Sequence, residues 1–252
     1  MNKKLVFFDI DGTLVSHVGK SHVPEPTAEA VKRLRQNGHT PAIATARNLA
    51  LTRKTAAFFG IDLLVCCNGA YVARGDDDIR DTYLDEGFTG VFRAEAFSVS
   101  PNAYALDIRN VYTEMNEDYF EAFILDQAGY DCKKNLAAIE RVQLAYIFAP
   151  LPDRWRGHEG VETIETPRYT EFRPPRVSKW SGIVAAAAAA GFDLGDVVTV
   201  GDGLNDIEMV RNAPLGLAVG AANTELKAVA DLVTEDIDQG GILSAFLKLD
   251  MI

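Results

Sequence analysis

Short runs of consecutive apolar residues recur along the chain, each closed by turn residues: LVFF at 5–8, PAIAT at 41–45, DLLVCC at 62–67, VVTV at 197–200 and LGLAV at 215–219. Runs of this length without alternation read as strands buried on both faces, as in a parallel sheet. Between them the apolar spacing lengthens to that of a helix. In TAEAVKRLRQNG, Ala28, Val31 and Leu34 share one face and Asn37-Gly38 closes the element. Asn48 to Phe59 stops at Gly60, and Lys179 to Ala190 stops at Gly191. The second of these contains six consecutive alanines, the best helix formers, whose small side chains let a helix lie close to a sheet. NDIEMVRNA and NTELKAVA predict two more helices.

The βαβα alternation at both ends predicts an α/β fold: one doubly wound, Rossmann-like parallel sheet assembled from the two termini. The middle differs. From about Ile79 to Phe172, alternating stretches such as AYALDI and VQLAYIFA are interleaved with amphipathic NEDYFEAFILDQAG. The reading is a core at 1–78 and 173–252 with an inserted α+β cap at 79–172. The polar runs RGDDD (74–78) and RPPR (173–176) serve as its connections.

Composition narrows the function. A net charge of −11 over 252 residues disfavours a general nucleic-acid binder or a protein held on an anionic membrane. An anionic small molecule stays open, because a bound cation can reverse the field inside a site. The three cysteines, two of them adjacent, make no disulfide framework, and the four histidines lack zinc-type spacing. The apolar stretch after Lys3-Lys4 meets Asp9 too early for a signal peptide, and no apolar run approaches the roughly 18 residues of a membrane helix. A soluble, cytoplasmic protein, monomer or homodimer, is expected.

In open α/β sheets ligands bind beyond the carboxyl ends of the strands. The polar residues there are Asp9-Ile10-Asp11-Gly12-Thr13, Thr45-Ala46-Arg47, Asn68-Gly69 and Gly201-Asp202-Gly203-Leu204-Asn205-Asp206, with Lys179 opening the helix that leads into the last strand. Several carboxylates in one crevice form a hard oxygen site suited to Mg²⁺. With the cation present, an aspartate can approach a phosphate dianion and attack it. A second acid, one residue on, can handle the proton of the leaving alcohol. Thr45 and Lys179 offer a hydroxyl and a positive charge to the phosphoryl oxygens.

DIDGT, a threonine ending the second strand, a lysine opening a later helix, and GDGLNDIEM together resemble the four motifs of the haloacid dehalogenase-like superfamily. Their order and the position of the insert resemble its Cof-type phosphatases. The resemblance implies Asp9 as nucleophile and metal ligand, and Asp11 as acid/base with its backbone carbonyl on the metal. It implies Asp202 as a direct ligand and Asp206 as a support for the metal through water. Thr45 and Lys179 would bind the phosphoryl group, and Asn205 and the Asn68-Gly69 turn would lie near the site. Ala46 and Arg47 are assigned to the substrate side, with Arg47 read equally as the partner of an acid near the crevice and Asn68 equally as a turn residue. The implied activity is Mg²⁺-dependent hydrolysis of a small phosphorylated metabolite, such as a sugar phosphate or phosphorylated cofactor, through an aspartyl-phosphate.

Two departures stand out. Ala46 replaces the glycine of the family's T-G-R and would crowd the loop if that position needs positive φ. Ala221 replaces the asparagine of M-G-N-A. A phosphosugar mutase of the same fold and a non-catalytic sensor of a phosphometabolite are the alternatives; the intact set of acids speaks against the sensor. Arg154, Arg156, Arg168 and Arg173 read as a solvated face, with the alternative that one meets a substrate's distal charge; Trp155 and Trp180 read as packing residues, and His158 has no evident partner.

Overall fold

The computed structural model describes residues 3–115 and 133–252; the amphipathic NEDYFEAFILDQAG stretch and Cys132 lie outside the described residues. In chain order the strands are β1 (Leu5–Phe8), β2 (Thr40–Ala44), β3 (Leu63–Cys66), β4 (Tyr71–Arg74), β5 (Asp77–Asp81), β6 (Tyr104–Leu106), β7 (Val111–Thr113), β8 (Lys133–Lys134), β9 (Leu144–Ile147), β10 (Glu162–Glu165), β11 (Thr170–Arg173), β12 (Val197–Gly201), β13 (Leu215–Ala218) and β14 (Leu232–Val233). The α-helices are α1 (Glu25–Gln36), α2 (Leu49–Phe59), α3 (Glu86–Val99), α4 (Lys179–Ala190), α5 (Ile207–Asn212), α6 (Thr224–Lys227) and α7 (Gly241–Lys248).

Two sheets result. The core sheet has eight strands in the order β14-β13-β12-β1-β2-β3-β4-β5. It is parallel from β14 to β3, and β4 and β5 then return antiparallel. This is the expected doubly wound α/β layer, with the N-terminal and C-terminal segments meeting where β1 pairs with β12. Leu5, Val6, Phe7 and Phe8 are all fully buried, which accounts for an uninterrupted apolar run in a central strand. Helix α1 buries Thr27, Ala30, Val31 and Leu34, one position round from the face that includes Ala28. The second sheet, in the insert, has the order β10-β11-β9-β6-β7-β8 and is antiparallel apart from the β7–β8 pair.

The expected switch into the insert at 78/79 falls inside β5, which pairs with β4 in the core sheet. The chain leaves that sheet after Asp81. RGDDD reads as a linker because it is the tip and first half of an exposed edge hairpin, where polar residues are tolerated on both faces. On the return, β11 runs to Arg173 within the second sheet.

The insert has its own core. Phe88, Phe92 and Ala96 of α3 pack with Trp155 and Phe172, with the Phe88 and Phe172 rings 4.9 Å apart. Trp155 is buried and donates to Glu95, and His158 finds an aromatic partner in Phe88, ring centroids 5.4 Å apart. A further apolar cluster joins the two sheets: Leu51, Cys67 and Ala70 from the core meet Leu106, Val111, Leu144 and Tyr146 from the insert. The insert is therefore seated on the carboxyl-end face of the parallel sheet. Among the described residues no helix is long and apolar enough to cross a membrane.

Candidate active site

The site begins where β1 ends. Asp9 continues the strand, its N–H donating to the Val200 carbonyl of β12 at 3.0 Å. The chain then turns at Gly12, which has φ +83° and lies so close to Asp202 that a β-carbon would collide with its carboxylate. The neighbouring Thr13 hydroxyl donates to Asp202 Oδ1 at 3.3 Å. The first loop thus touches the second acidic loop directly.

Asp9, Asp202 and Asp206 each present an oxygen within 4.8 Å of the others. Lys179 lies among them, fully buried, with Nζ donating to Asp9 Oδ1 and Asp206 Oδ1 at 2.6 Å each. It is held there by the start of α4. Ser178 caps that helix, accepting from the Ser181 N–H while the Ser181 hydroxyl accepts from the Ser178 N–H. The other oxygen of Asp206 accepts from the N–H groups of Asp202 and Gly203 at 3.0 and 2.9 Å. Asp206 therefore shapes its own loop as well as facing the cluster.

Three carboxylates and one ammonium leave a surplus of two negative charges when all are ionised. The electrostatics record this strain. Burial raises Asp9 to about 7, with Lys179 opposing and Asp206 and Asp11 adding to the rise. Burial, with Asp9 and Asp206, raises Asp202 to about 8. Burial alone would depress Lys179, but Asp206 and Asp9 outweigh it and hold its proton firmly. The donor set is all carboxylate oxygen, hard, and short of two positive charges, so it fits a divalent cation of the Mg²⁺ class.

Asp11 is not in this cluster. Its carboxylate turns to Arg47, whose Nε donates to Oδ2 at 2.7 Å and whose Nη2 donates to Oδ1, and to His17 Nε2 at 2.9 Å. Burial would raise Asp11, but the hydrogen bonds and charges of His17 and Arg47 outweigh it and hold the acid well below the usual carboxylate range. A metal role through the backbone carbonyl leaves that side chain free for this pairing. Arg47 thus serves an acid at the crevice.

Thr45 is buried at the end of β2, and its hydroxyl oxygen accepts from the Arg47 N–H at 3.1 Å. Ala46 does not have positive φ, so the missing glycine costs the loop nothing. Asn68 does adopt the left-handed region, φ 49°, and Gly69 follows at φ +95° against the Ser178 carbonyl, where a side chain would not fit. Asn68 Oδ1 accepts from Asn205 Nδ2 at 3.2 Å, which brings these two expected neighbours together. Behind the acidic loop, Asn223 donates to the Asp202 carbonyl through both its backbone and side chain, at 3.0 and 3.2 Å. It supplies a polar contact two residues after Ala221.

Several contributors escaped the sequence reading. His17 and Thr13 carry no role in the sequence pattern: Thr13 lies inside DIDGT, but His17 has no local signal. Glu171 is 2% exposed and accepts from Asn68 and Tyr146. An acid on the buried face of the short strand TEFR was the available signal. Arg173 is not solvated: its side chain is 14% exposed and pairs with Glu162 at 2.5 Å. Arg154 and Arg156 do face solvent.

The profile of the haloacid dehalogenase-like hydrolases matches residues 6–246. The chain is 30% identical to the Bacillus subtilis (strain 168) protein YkrA over the full length of both. It is 26% identical to the phosphoglycolate phosphatase of Methanopyrus kandleri, over 97% of this chain and 95% of that one. Among solved structures, the subclass IIB sugar phosphatase BT4131 superposes with a TM-score of 0.85 at 25% identity, covering 99% of this chain and 100% of that one. A doubly wound α/β core with an acidic cluster at the carboxyl ends of its strands and a sheet-bearing insert is what fold and site define, and this chain belongs to the haloacid dehalogenase-like hydrolase family.

Proposed function

We propose that the protein is a Mg²⁺-dependent phosphatase that hydrolyses a small organic phosphomonoester through an aspartyl-phosphate on Asp9. The observation that supports this most is the cluster of Asp9, Asp202 and Asp206 around Lys179 at the carboxyl ends of β1 and β12. Asp9 and Asp202 would hold the cation, with Asp206 in support; the cation supplies charge that lets a phosphate dianion approach a carboxylate. Asp9 attacks phosphorus, and the bond from phosphorus to the ester oxygen breaks. The leaving oxygen takes a proton. Water then attacks the aspartyl-phosphate, loses a proton, and frees inorganic phosphate and Asp9. Lys179 and the Thr45 hydroxyl face the charge that grows on the phosphoryl oxygens.

Asp11 is the acid/base in this reading. Held by Arg47 and His17, it stays ionised and is a weak base, so it must leave that fork to take the proton of the attacking water. To protonate the leaving oxygen it must both leave the fork and first gain a proton from solvent. The relatives named as phosphatases, one for phosphoglycolate and one for a sugar phosphate, support the reaction class.

The test uses p-nitrophenyl phosphate, a substrate whose leaving group needs little protonation. Hydrolysis should vanish in EDTA and return with Mg²⁺. Asp9→Asn should abolish it. Asp11→Asn should slow the second step more than the first, by about 10²–10⁴-fold, so a phosphoenzyme should accumulate as a mass increase on the peptide carrying Asp9. A label on another residue, or wild-type turnover in Asp9→Asn, rules out this nucleophile.

A further inference from the structure

Three consecutive residues just past β3, Cys67, Asn68 and Gly69, have positive φ, at 49°, 49° and 95°. Left-handed backbone is costly for a residue with a β-carbon. Apart from Cys67 and Asn68, only Arg176 and Asp250 among the described non-glycine residues adopt it. Such strain persists where the surrounding structure imposes it, and it gathers at functional sites. Asn68 is buried at the centre of this turn, and each of its polar groups reaches a different segment. Its N–H donates to the Thr45 carbonyl at 3.0 Å. Its Nδ2 donates to Glu171 Oε2 at 3.0 Å and to the Tyr146 hydroxyl at 3.3 Å, both in the insert. Its Oδ1 accepts from Asn205 Nδ2 at 3.2 Å, in the loop between Asp202 and Asp206. Gly69, the next residue, lies against the carbonyl of Ser178, which caps the helix that carries Lys179.

Asparagine is the side chain this position requires. It tolerates left-handed backbone, and one rigid amide carries both a donor and an acceptor. Aspartate lacks the donor, and glycine lacks both. The insert sets the direction of that amide. Glu171 and Tyr146 stand opposite each other on β11 and β9. The Tyr146 hydroxyl gives its hydrogen to Glu171 Oε2 at 3.1 Å, so toward Asn68 it can only accept. Two acceptors thus hold Nδ2 on the insert's side and leave Oδ1 facing the acidic loop. With the insert lifted, the amide can turn its donor toward Asn205 and set donor against donor. Asn205 in turn packs its Oδ1 against Gly203, where a β-carbon would crowd it, so a displaced Asn205 shifts the loop that spaces Asp202 and Asp206.

We propose that Asn68 is a positioning residue that couples the seating of the insert to the acidic loop. Glu171 and Tyr146 orient its amide, and the amide holds Asn205 and, with it, the spacing of Asp202 and Asp206 for a cation. This rests on the cation site of the phosphatase reading above. The coupling runs in both directions, as binding free energies must. A seated insert raises the affinity for the cation, and the cation, by fixing the acidic loop, holds the insert down.

The test reads Mg²⁺ affinity of the substrate-free full chain by calorimetry. Asn68→Gly keeps the backbone conformation and removes both ends of the amide; it should weaken Mg²⁺ by about fivefold or more. Glu171→Leu, a change in the insert, should weaken it to a similar degree. Glu171→Gln loses the charge but keeps an acceptor for Asn68, and should stay within about twofold of wild type. In an Asn68→Gly background, Glu171→Leu should add no more than about twofold. Hydrogen exchange on the wild type needs no variant to fold: Mg²⁺ should slow the amides of β9 and β11 by about fivefold or more beyond any slowing of α1. The absence of that selective slowing overturns the proposal. Glu171→Gln weakening Mg²⁺ as much as Glu171→Leu also overturns it, since charge would then be the cause. So does an effect of Glu171→Leu that is the same with and without Asn68. A wild type that takes up no Mg²⁺ would overturn the cation reading and this inference with it. Mg²⁺ binding that ignores both Asn68 and Glu171 overturns this inference alone.

Discussion

Lys179 neutralises part of a buried acidic cluster, and it is the side chain whose loss the site can least absorb. Removing one partner of a buried ion pair costs about 3–5 kcal/mol because the remaining charge is left unpaired. In Lys179→Met, Asp9 and Asp206 would face each other with no cation from the protein. Asp9, already raised to about 7 by burial, can escape by taking up a proton, so the penalty depends on pH. Urea titrations without metal should show a loss of about 3–5 kcal/mol at pH 8 and a clearly smaller one at pH 5. Equal losses at both pH values would mean that packing, and not charge, is what Lys179 contributes. Its place in the site was legible in the sequence because helix α4 begins at that residue and leads straight into β12. The same holds for Asp9, Thr45, Asn68, Asp202 and Asp206, which all stand at or just past a strand end. His17 and Glu171 were not legible. One reaches Asp11 from a loop and the other arrives from the second sheet, so only the folded chain brings either to the site.

Helix α4 is the element through which local sequence reaches the chemistry. Its ends are fixed by different means: a Ser178–Ser181 capping box at the start, and Gly191 in the left-handed region, φ 74°, at the finish. Losing a serine cap costs about 0.5–2 kcal/mol, and forcing a β-carbon into left-handed backbone costs roughly 1–2 kcal/mol. Ser178→Ala and Gly191→Ala should therefore lower Tm by similar amounts, about 2–4 °C per kcal/mol for a chain of this size. Only Ser178→Ala should also lower aryl phosphate turnover, because the first turn of α4 carries Lys179. Thermal melts beside steady-state kinetics check this; a matching kinetic defect in Gly191→Ala would show that the whole helix, not its first turn, sets the lysine. At this scale the buried strands of the core sheet and helices α1, α2 and α4 declare themselves by pattern, whereas α3, the longest of the described helices, has no counterpart in the sequence reading. The β4–β5 hairpin does not declare itself, because DDIRD is an exposed edge whose residues need not alternate. Helix α7 does not either, since GILSAFLK is nearly all apolar and a short apolar run does not distinguish helix from strand.

Across the whole molecule, the acidic cluster ties fold stability to pH and to the cation. Asp9 and Asp202 are both raised from 3.8, to about 7 and about 8, chiefly by burial. Between those limits the metal-free folded protein holds protons that the unfolded chain has released. The contribution of these groups to stability is therefore full below pH 3.8 and is lost as pH rises toward 7 to 8. A divalent cation that bound the ionised form would reverse the trend, since it would stabilise only the folded state in which the carboxylates converge. Its binding must then release protons near neutrality, and its affinity must rise with pH. Melts in EDTA should show Tm falling from pH 5.5 to pH 8, beyond any change shared with Asp202→Asn. Saturating Mg²⁺ should raise Tm more at pH 8 than at pH 5.5, by at least about 2–4 °C if the linkage is worth 1 kcal/mol. Calorimetry in two buffers of different ionisation enthalpy should detect the released protons at pH 7. A Mg²⁺ shift that is the same at both pH values, with no proton release, would mean that the cation binds carboxylates already ionised, and that Lys179 alone is enough to hold the cluster charged.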